Sequence, residues 1–222
     1  MDYLQIMLCT LGAYLIGALP TSHWYTKLRF GINISEHGNG TASHLNIQQV
    51  IGPEAGWTVR ILDVIKGLLA AKLAYFVHNE YGLFSEIEYP ILMLSFGLAG
   101  ILGHIFPAFS GFRGGKGFHI MRGVLTAVQP LAMAIAISSA WLIFLLFRYP
   151  HLAYVAGSLA VPVFVFMTRG KYGDMLVPML VFSVALFAML FFTHRQNLRD
   201  ILQGRVAKTS WREGTPGFLR RR

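Results

Sequence analysis

The chain has 222 residues, 55% of them hydrophobic and only 13% charged, with a mean hydropathy of +0.53 and a formal net charge of +9. Soluble globular domains carry charge on about a quarter of their residues, so the composition excludes that class and points to a protein dissolved in lipid. The lone Cys9 excludes an intrachain disulfide, and eight of the nineteen Lys and Arg residues follow His194, beside the last apolar segment, where an anionic leaflet rather than nucleic acid is the expected partner.

In chain order, the apolar segments are Leu4 to Trp24, Trp57 to Val77, Ile91 to Ala108, Leu131 to Phe147, Leu152 to Met167 and Met175 to Phe192. A hydrocarbon core of about 30 Å takes about 20 helical residues to cross. A weaker stretch of about twelve residues runs from Phe118 to Gln129. Asp2 and the lack of a basic start make the first segment a poor signal peptide. The polar connection from Lys27 to Pro53, with His37-Gly-Asn-Gly-Thr at its centre, is long enough to be functional or disordered.

Charge decides how many segments cross. If the Phe118 stretch is a short crossing helix, one face gathers Lys27, Arg29, Arg113, Lys116, Arg122, Arg148 and the basic tail. The other gathers Asp2, Glu80, Glu86, Glu88 and Asp174, with Arg169 and Lys171. Leaving that stretch out moves Arg148 and the tail outside, against the positive-inside rule. The expected protein is therefore an all-α integral membrane protein of about seven transmembrane helices, some short, with the N-terminus outside and the C-terminus cytoplasmic. Residues 1–208 form one polytopic domain, and 209–222 a basic cytoplasmic tail.

Two polar sequences interrupt this lipid-soluble chain. In Ser110-Gly-Phe-Arg-Gly-Gly-Lys-Gly117 the glycines bare backbone N–H groups while Arg113 and Lys116 supply positive charge, which suits a phosphate. It is not a nucleotide P-loop, because Ser110 occupies the first glycine position and Gly117 follows the lysine. In His194-Arg-Gln-Asn197 an imidazole and a carboxamide stand at i and i+3, on one face of a helix. His104, ending the segment before the glycine loop, reads first as a hydrogen-bonded packing residue and second as a site residue. Arg60, Asp63 and Lys66 recur every third residue, so they face the bundle interior as a structural ion pair, Asp63–Lys66 or Arg60–Asp63. The eight histidines show no metal-ligand spacing, and neither a Gly-x-Ser-x-Gly elbow nor a His-x4-Asp pair occurs. No cofactor or metal is expected.

Together these pieces resemble the acyl-phosphate:glycerol-3-phosphate acyltransferase family (PlsY). The similarity runs from Tyr14-Leu-Ile-Gly-Ala-Leu-Pro20 to Gly204, through Leu62-Asp-Val-Ile-Lys-Gly67, Gly103 to Gly117, and His194-Arg-Gln-Asn-Leu198. The resemblance implies a bacterial inner-membrane enzyme with its site on the cytoplasmic side. It would move a fatty acyl group from acyl phosphate to the 1-hydroxyl of glycerol 3-phosphate, giving lysophosphatidate and phosphate. Lys116, His194 and Asn197 then carry catalysis. Arg113, Gly114, Gly115 and Gly117 hold phosphate, together with Gly38, Gly40 and Asn46 of the first motif.

That motif departs from the family. It reads Gly38-Asn-Gly-Thr-Ala-Ser-His-Leu-Asn46, with Gln49 where the family has Arg, and His151 stands where a Ser is usual. A carboxamide cannot reproduce a guanidinium's two-pronged grip on phosphate. Either Ser43, His44 or His151 compensates, or the substrate differs, or activity has been lost. The last case gives the alternative function, a non-catalytic paralogue binding phospholipid or a partner membrane enzyme. A transporter of phosphorylated metabolites ranks third, since only the Arg60–Asp63–Lys66 face offers a polar path.

Overall fold

The computed structural model describes residues 3–83, 89–112 and 114–209, so the expectations placed on Arg113 and on 210–222 of the tail lie outside the described residues. Among these residues the chain is helical, without strands. Its helices are α1 (Tyr3–Ala18), α2 (Thr21–Phe30), α3 (His44–Val50), α4 (Pro53–Tyr75), α5 (Tyr89–Ile105), α6 (Phe118–Val128), α7 (Pro130–Phe147), α8 (Pro150–Met167) and α9 (Leu176–Leu202).

Five segments are long and apolar enough to cross a membrane: Tyr3–Phe30, Tyr89–Ser110, Pro130–Phe147, Pro150–Met167 and Gly173–Leu202. They turn large apolar side chains such as Leu142, Leu146, Val177 and Val181 outward, which only a lipid environment tolerates on this scale. The protein is thus a multi-pass membrane protein. α4 is long enough but interrupted by charge, and α6 has only 11 residues. At 1.5 Å per residue α6 is roughly 16 Å long, about half a hydrocarbon core, so one of its ends lies at membrane depth.

Two sequence expectations change. The first apolar segment is not one helix, because the ring of Pro20 disfavours helical backbone at Leu19, and the chain breaks between α1 and α2. Nor is the connection from Lys27 to Pro53 structureless. α2 runs on to Phe30 and stops at Gly31, whose φ of +69° closes the helix in the left-handed conformation. A 3-10 turn at Ile34–Glu36 and α3 follow, packed through Ile34, Ile47, Ala55 and Val59.

Close helix approach depends on small residues, as expected where helices gain little by hiding from lipid. A Cβ at Gly67 of α4 would strike the Ile120 carbonyl of α6, and one at Gly123 of α6 would strike the Val64 carbonyl of α4. These reciprocal contacts seat α6 against α4 and fix where the glycine loop begins. Gly123→Leu should therefore cost about 1–3 kcal/mol through overpacking, read as a lowered melting temperature in detergent. Gly170→Ala, at a position with open space around it, should leave melting unchanged.

Candidate active site

The site is assembled from the α5–α6 loop, the starts of α3, α6 and α8, and the last third of α9. Lys116 and Asn197, 81 residues apart, meet directly, the ammonium donating to Asn197 Oδ1 at 2.5 Å. The loop is tied to α9 a second time, because the Thr193 hydroxyl donates to the Lys116 carbonyl at 2.8 Å. Burial pushes the Lys116 pKa down to about 8 from its ordinary 10.5. His194 lies one helical turn before Asn197 and is 1% exposed. Its Nδ1 is 2.9 Å from the Leu190 carbonyl, which can only accept, so Nδ1 carries the proton and Nε2 keeps a lone pair. Lys116, His194, His151, His44 and Tyr154 line one small inner cavity of about 20 Å³.

The glycine loop works differently from the expectation. The Gly114 N–H donates to the Ile105 carbonyl at 3.2 Å, and the Gly115 N–H to the His104 carbonyl at 3.0 Å. Both amides therefore satisfy the open end of α5 and are not free to hold phosphate. Their lack of side chains serves packing, since a Cβ on Gly115 would collide with the His104 ring. The donors that remain belong to the α6 N-terminus. Gly117, at φ +92°, caps α6 without a side-chain acceptor, and the first α6 bond runs from the Met121 N–H to the Gly117 carbonyl. The N–H groups of Phe118 and His119 thus stay available beside Lys116, where the helix dipole favours an anion.

The first motif is scaffold. Asn46 is fully buried, its Nδ2 donating to the carbonyls of Thr41 at 2.9 Å and His37 at 3.0 Å while Oδ1 accepts from the Asn39 N–H at 2.9 Å. It has no capacity left for phosphate. Gly38 and Gly40 adopt φ of +60° and +71° and shape the turn that Asn46 clamps. Gln49 is exposed and lines neither the inner cavity nor the larger one described below. Ser43 caps α3 and lines the inner cavity.

Of the α4 residues Arg60, Asp63 and Lys66, the last two pair at 3.2 Å, while Arg60 does not join them. Its Nη2 donates to Gln48 Oε1 at 2.7 Å and its guanidinium lies over the Trp57 ring. Lys66 also donates to the Leu19 carbonyl at 3.1 Å and to His104 Nδ1 at 3.2 Å. His104 Nε2 therefore bears a proton and faces the loop at Gly115. Asp63, Lys66 and His104 brace the loop from behind.

Sequence reading missed a chain of polar contacts beside the inner cavity. Arg122 Nη1 lies 3.3 Å from His119 Nδ1, and His119 Nε2 lies 3.3 Å from His44 Nε2. His44 Nε2 is also 3.1 Å from the Tyr154 hydroxyl. Because arginine only donates, His119 accepts at Nδ1 and donates from Nε2, leaving His44 Nε2 as acceptor. Burial, with His119 and Arg60 nearby, holds His44 well below the usual histidine range, consistent with this neutral role. The signal was present: His119 and Arg122 are polar residues inside an apolar half-helix.

These features define a multi-pass membrane protein with a small buried polar site in which a lysine, several histidines and a helix N-terminus converge. The family model for glycerol-3-phosphate acyltransferase matches residues 7–204. The chain is 32% identical over 214 residues to a glycerol-3-phosphate acyltransferase of Chlorobium phaeobacteroides, covering 86% of this chain and 91% of that protein. Against the enzyme of that name from Salinibacter ruber it is 32% identical over 216 residues, covering 94% of each. The crystal structure of PlsY (YgiH), an integral membrane glycerol 3-phosphate acyltransferase, in its glycerol 3-phosphate form superposes with a TM-score of 0.79 at 28% identity, over 94% of this chain and 98% of that one. Its lysophosphatidic acid form gives 0.78 at the same identity. The chain belongs to the glycerol-3-phosphate acyltransferase family.

The Lys116 pKa of about 8 lies below its unfolded value, so the burial penalty is complete below pH 8 and is relieved as pH rises from 8 to 10.5. Asn197 Oδ1 favours the charged form by accepting from it. Asn197→Leu should move the midpoint for amine modification of Lys116, followed by mass spectrometry, from near pH 8 to lower pH. A wild-type midpoint at pH 10 or above would contradict the burial.

Proposed function

We propose that this protein transfers a fatty acyl group from acyl phosphate to the 1-hydroxyl of glycerol 3-phosphate at the cytoplasmic face of a bacterial inner membrane, releasing lysophosphatidate and phosphate. The carrying observation is the meeting of Lys116 with Asn197 one turn from His194, at the α6 N-terminus. With seven crossings and the N-terminus outside, the topology that the charge distribution supports, this site would lie on the positive face. Residues 1–208 act as one membrane domain.

In this reading the glycerol 3-phosphate phosphate takes the Lys116 ammonium and the free α6 amides, displacing Asn197 from the ammonium. Asn197 then turns its amide to a glycerol hydroxyl. The 1-hydroxyl oxygen attacks the acyl carbonyl carbon, its proton passing to His194 Nε2, and the carbon–oxygen bond to the phosphate leaving group breaks. The proton returns to the departing phosphate. An acyl phosphate is already an activated anhydride, so placement and charge stabilisation suffice without a protein nucleophile.

Purified protein given acyl phosphate and labelled glycerol 3-phosphate should form lysophosphatidate and phosphate in equal amounts. Lys116→Ala and His194→Ala should each lower turnover by about 10²–10³-fold, the range for losing one preorganised group. Gln49→Arg should change little, because position 49 points away from the cavities. Absence of product above the Lys116→Ala background would defeat the reading and leave phospholipid binding without catalysis.

A further inference from the structure

Beside the inner cavity, and sharing Phe118, His119 and Tyr154 with it, lies a larger cavity of about 150 Å³ between α3, α4, α6, α7 and α8. That is roughly ten times the volume that admits one water. Among the described residues two arginines line it, Arg60 from α4 and Arg122 from α6, and no Asp or Glu does. Among the described residues neither arginine has an ion-pair partner, since the nearby Asp63 pairs with Lys66. The Nε of each is buried without a hydrogen-bond partner. Two guanidinium charges withdrawn from water with no counter-charge call for an anion. The remaining wall is apolar and aromatic, with Trp57, Trp141, Phe118 and Phe144.

An anion-binding end joined to an aromatic wall fits an amphiphile. The planar fork of arginine matches the oxygens of a phosphate. We propose that this cavity binds the phosphate head of a single-chain amphiphile, gripped by Arg60 and Arg122, with its first chain carbons against Trp57 and Trp141. On the function proposed above, two molecules have this chemistry, the long-chain acyl phosphate and lysophosphatidate. Either would enter from the inner leaflet and lie next to Lys116 through the shared wall. Arg60 would then supply the guanidinium that the first motif lacks at Gln49, from a different helix.

The test reads binding rather than turnover. In the full chain carrying Trp24→Phe and Trp211→Phe, Trp57 and Trp141 report on this cavity by fluorescence. In dodecyl maltoside, titration with a non-hydrolysable acyl phosphonate or with lysophosphatidate should give a saturable change, while dodecyltrimethylammonium gives none. Saturation by the phosphonate alone marks the donor's seat, by lysophosphatidate alone the product's, and by both a shared one. Arg60→Gln and Arg122→Gln should each weaken binding at least about tenfold. Arg60→Lys and Arg122→Lys, which keep charge but lose the fork, should fall between, with melting temperatures confirming the fold. No saturable change with either phosphate probe, equal binding by all four arginine variants, or equal binding of the cationic amphiphile would overturn the proposal. Lys116→Ala separates the two readings: it should abolish transfer yet keep phosphonate binding within about twofold of the parent, because Lys116 lies outside this cavity.

Discussion

An ammonium below the membrane surface is stable only if all three of its protons find partners, and Lys66 meets that requirement from three parts of the chain. It pairs with Asp63 at 3.2 Å and donates to the Leu19 carbonyl at 3.1 Å and to His104 Nδ1 at 3.2 Å. Each contact fixes something else. The Leu19 carbonyl is freed by the break that Pro20 imposes, so the kink between α1 and α2 has an electrostatic partner. His104 is turned so that its other nitrogen faces Gly115, against which no side chain would fit. Asp63 neutralises the charge. The glycine loop is therefore held from below by a polar hub.

From that hub the chemistry follows by elimination of donors. Gly114 and Gly115 close the end of α5 with their N–H groups, and Asn46 closes the first loop with all of its polar capacity. Neither can serve a ligand without undoing the scaffold. Among the described residues, what remains for a ligand is the α6 N-terminus, the Nε2 of His194 and the half-buried Lys116, whose ammonium is held by Asn197, and all three line the inner cavity. A glycine-rich loop thus works as a brace, and the helix it introduces presents the amides. The division follows from the start of α6, whose first amides and helix dipole are left to an anion while the loop before it closes α5.

Much of this was legible in the residues. Hydropathy located the apolar segments, and the i, i+3 spacing put His194 and Asn197 on one helical face that does meet Lys116. The motifs on either side of the loop carried enough signal to identify the family. The roles of individual glycines were not legible, because whether an N–H is free depends on which carbonyl the fold brings to it. Gln48 and Gln49 make the same point: adjacent residues of one type, of which one bonds Arg60 and the other faces outward. The break at Pro20 could have been read from the proline alone, but hydropathy averaged over Leu4 to Trp24 hid it. His119 and Arg122 stood in plain view as ionisable groups in an apolar half-helix, and were used only to count charge.

Charge balance ties these features into one arrangement. Among the described residues, three cations line the two adjacent cavities, Lys116, Arg60 and Arg122, and the one carboxylate among the lining residues, Asp63, is already paired with Lys66. A single phosphate monoester, at about −1.5 to −2, leaves at least one of them uncompensated. Two phosphates bring about −3 to −4, more than enough to neutralise all three, and the proposed transfer from acyl phosphate to glycerol 3-phosphate would bind both together. In that proposed reaction one phosphate would leave as a free ion and the other stay on the lipid product, loosening the balance at the moment of release. Mutual repulsion between two bound phosphates is lowest when the cations separate them, and the shared wall of Phe118, His119 and Tyr154 does so, with neutral rings between the lysine and the arginine pair. In the proposed reaction the acyl carbonyl would be attacked beside the inner cavity, which His194 lines and where its Nε2 keeps a lone pair for the hydroxyl proton.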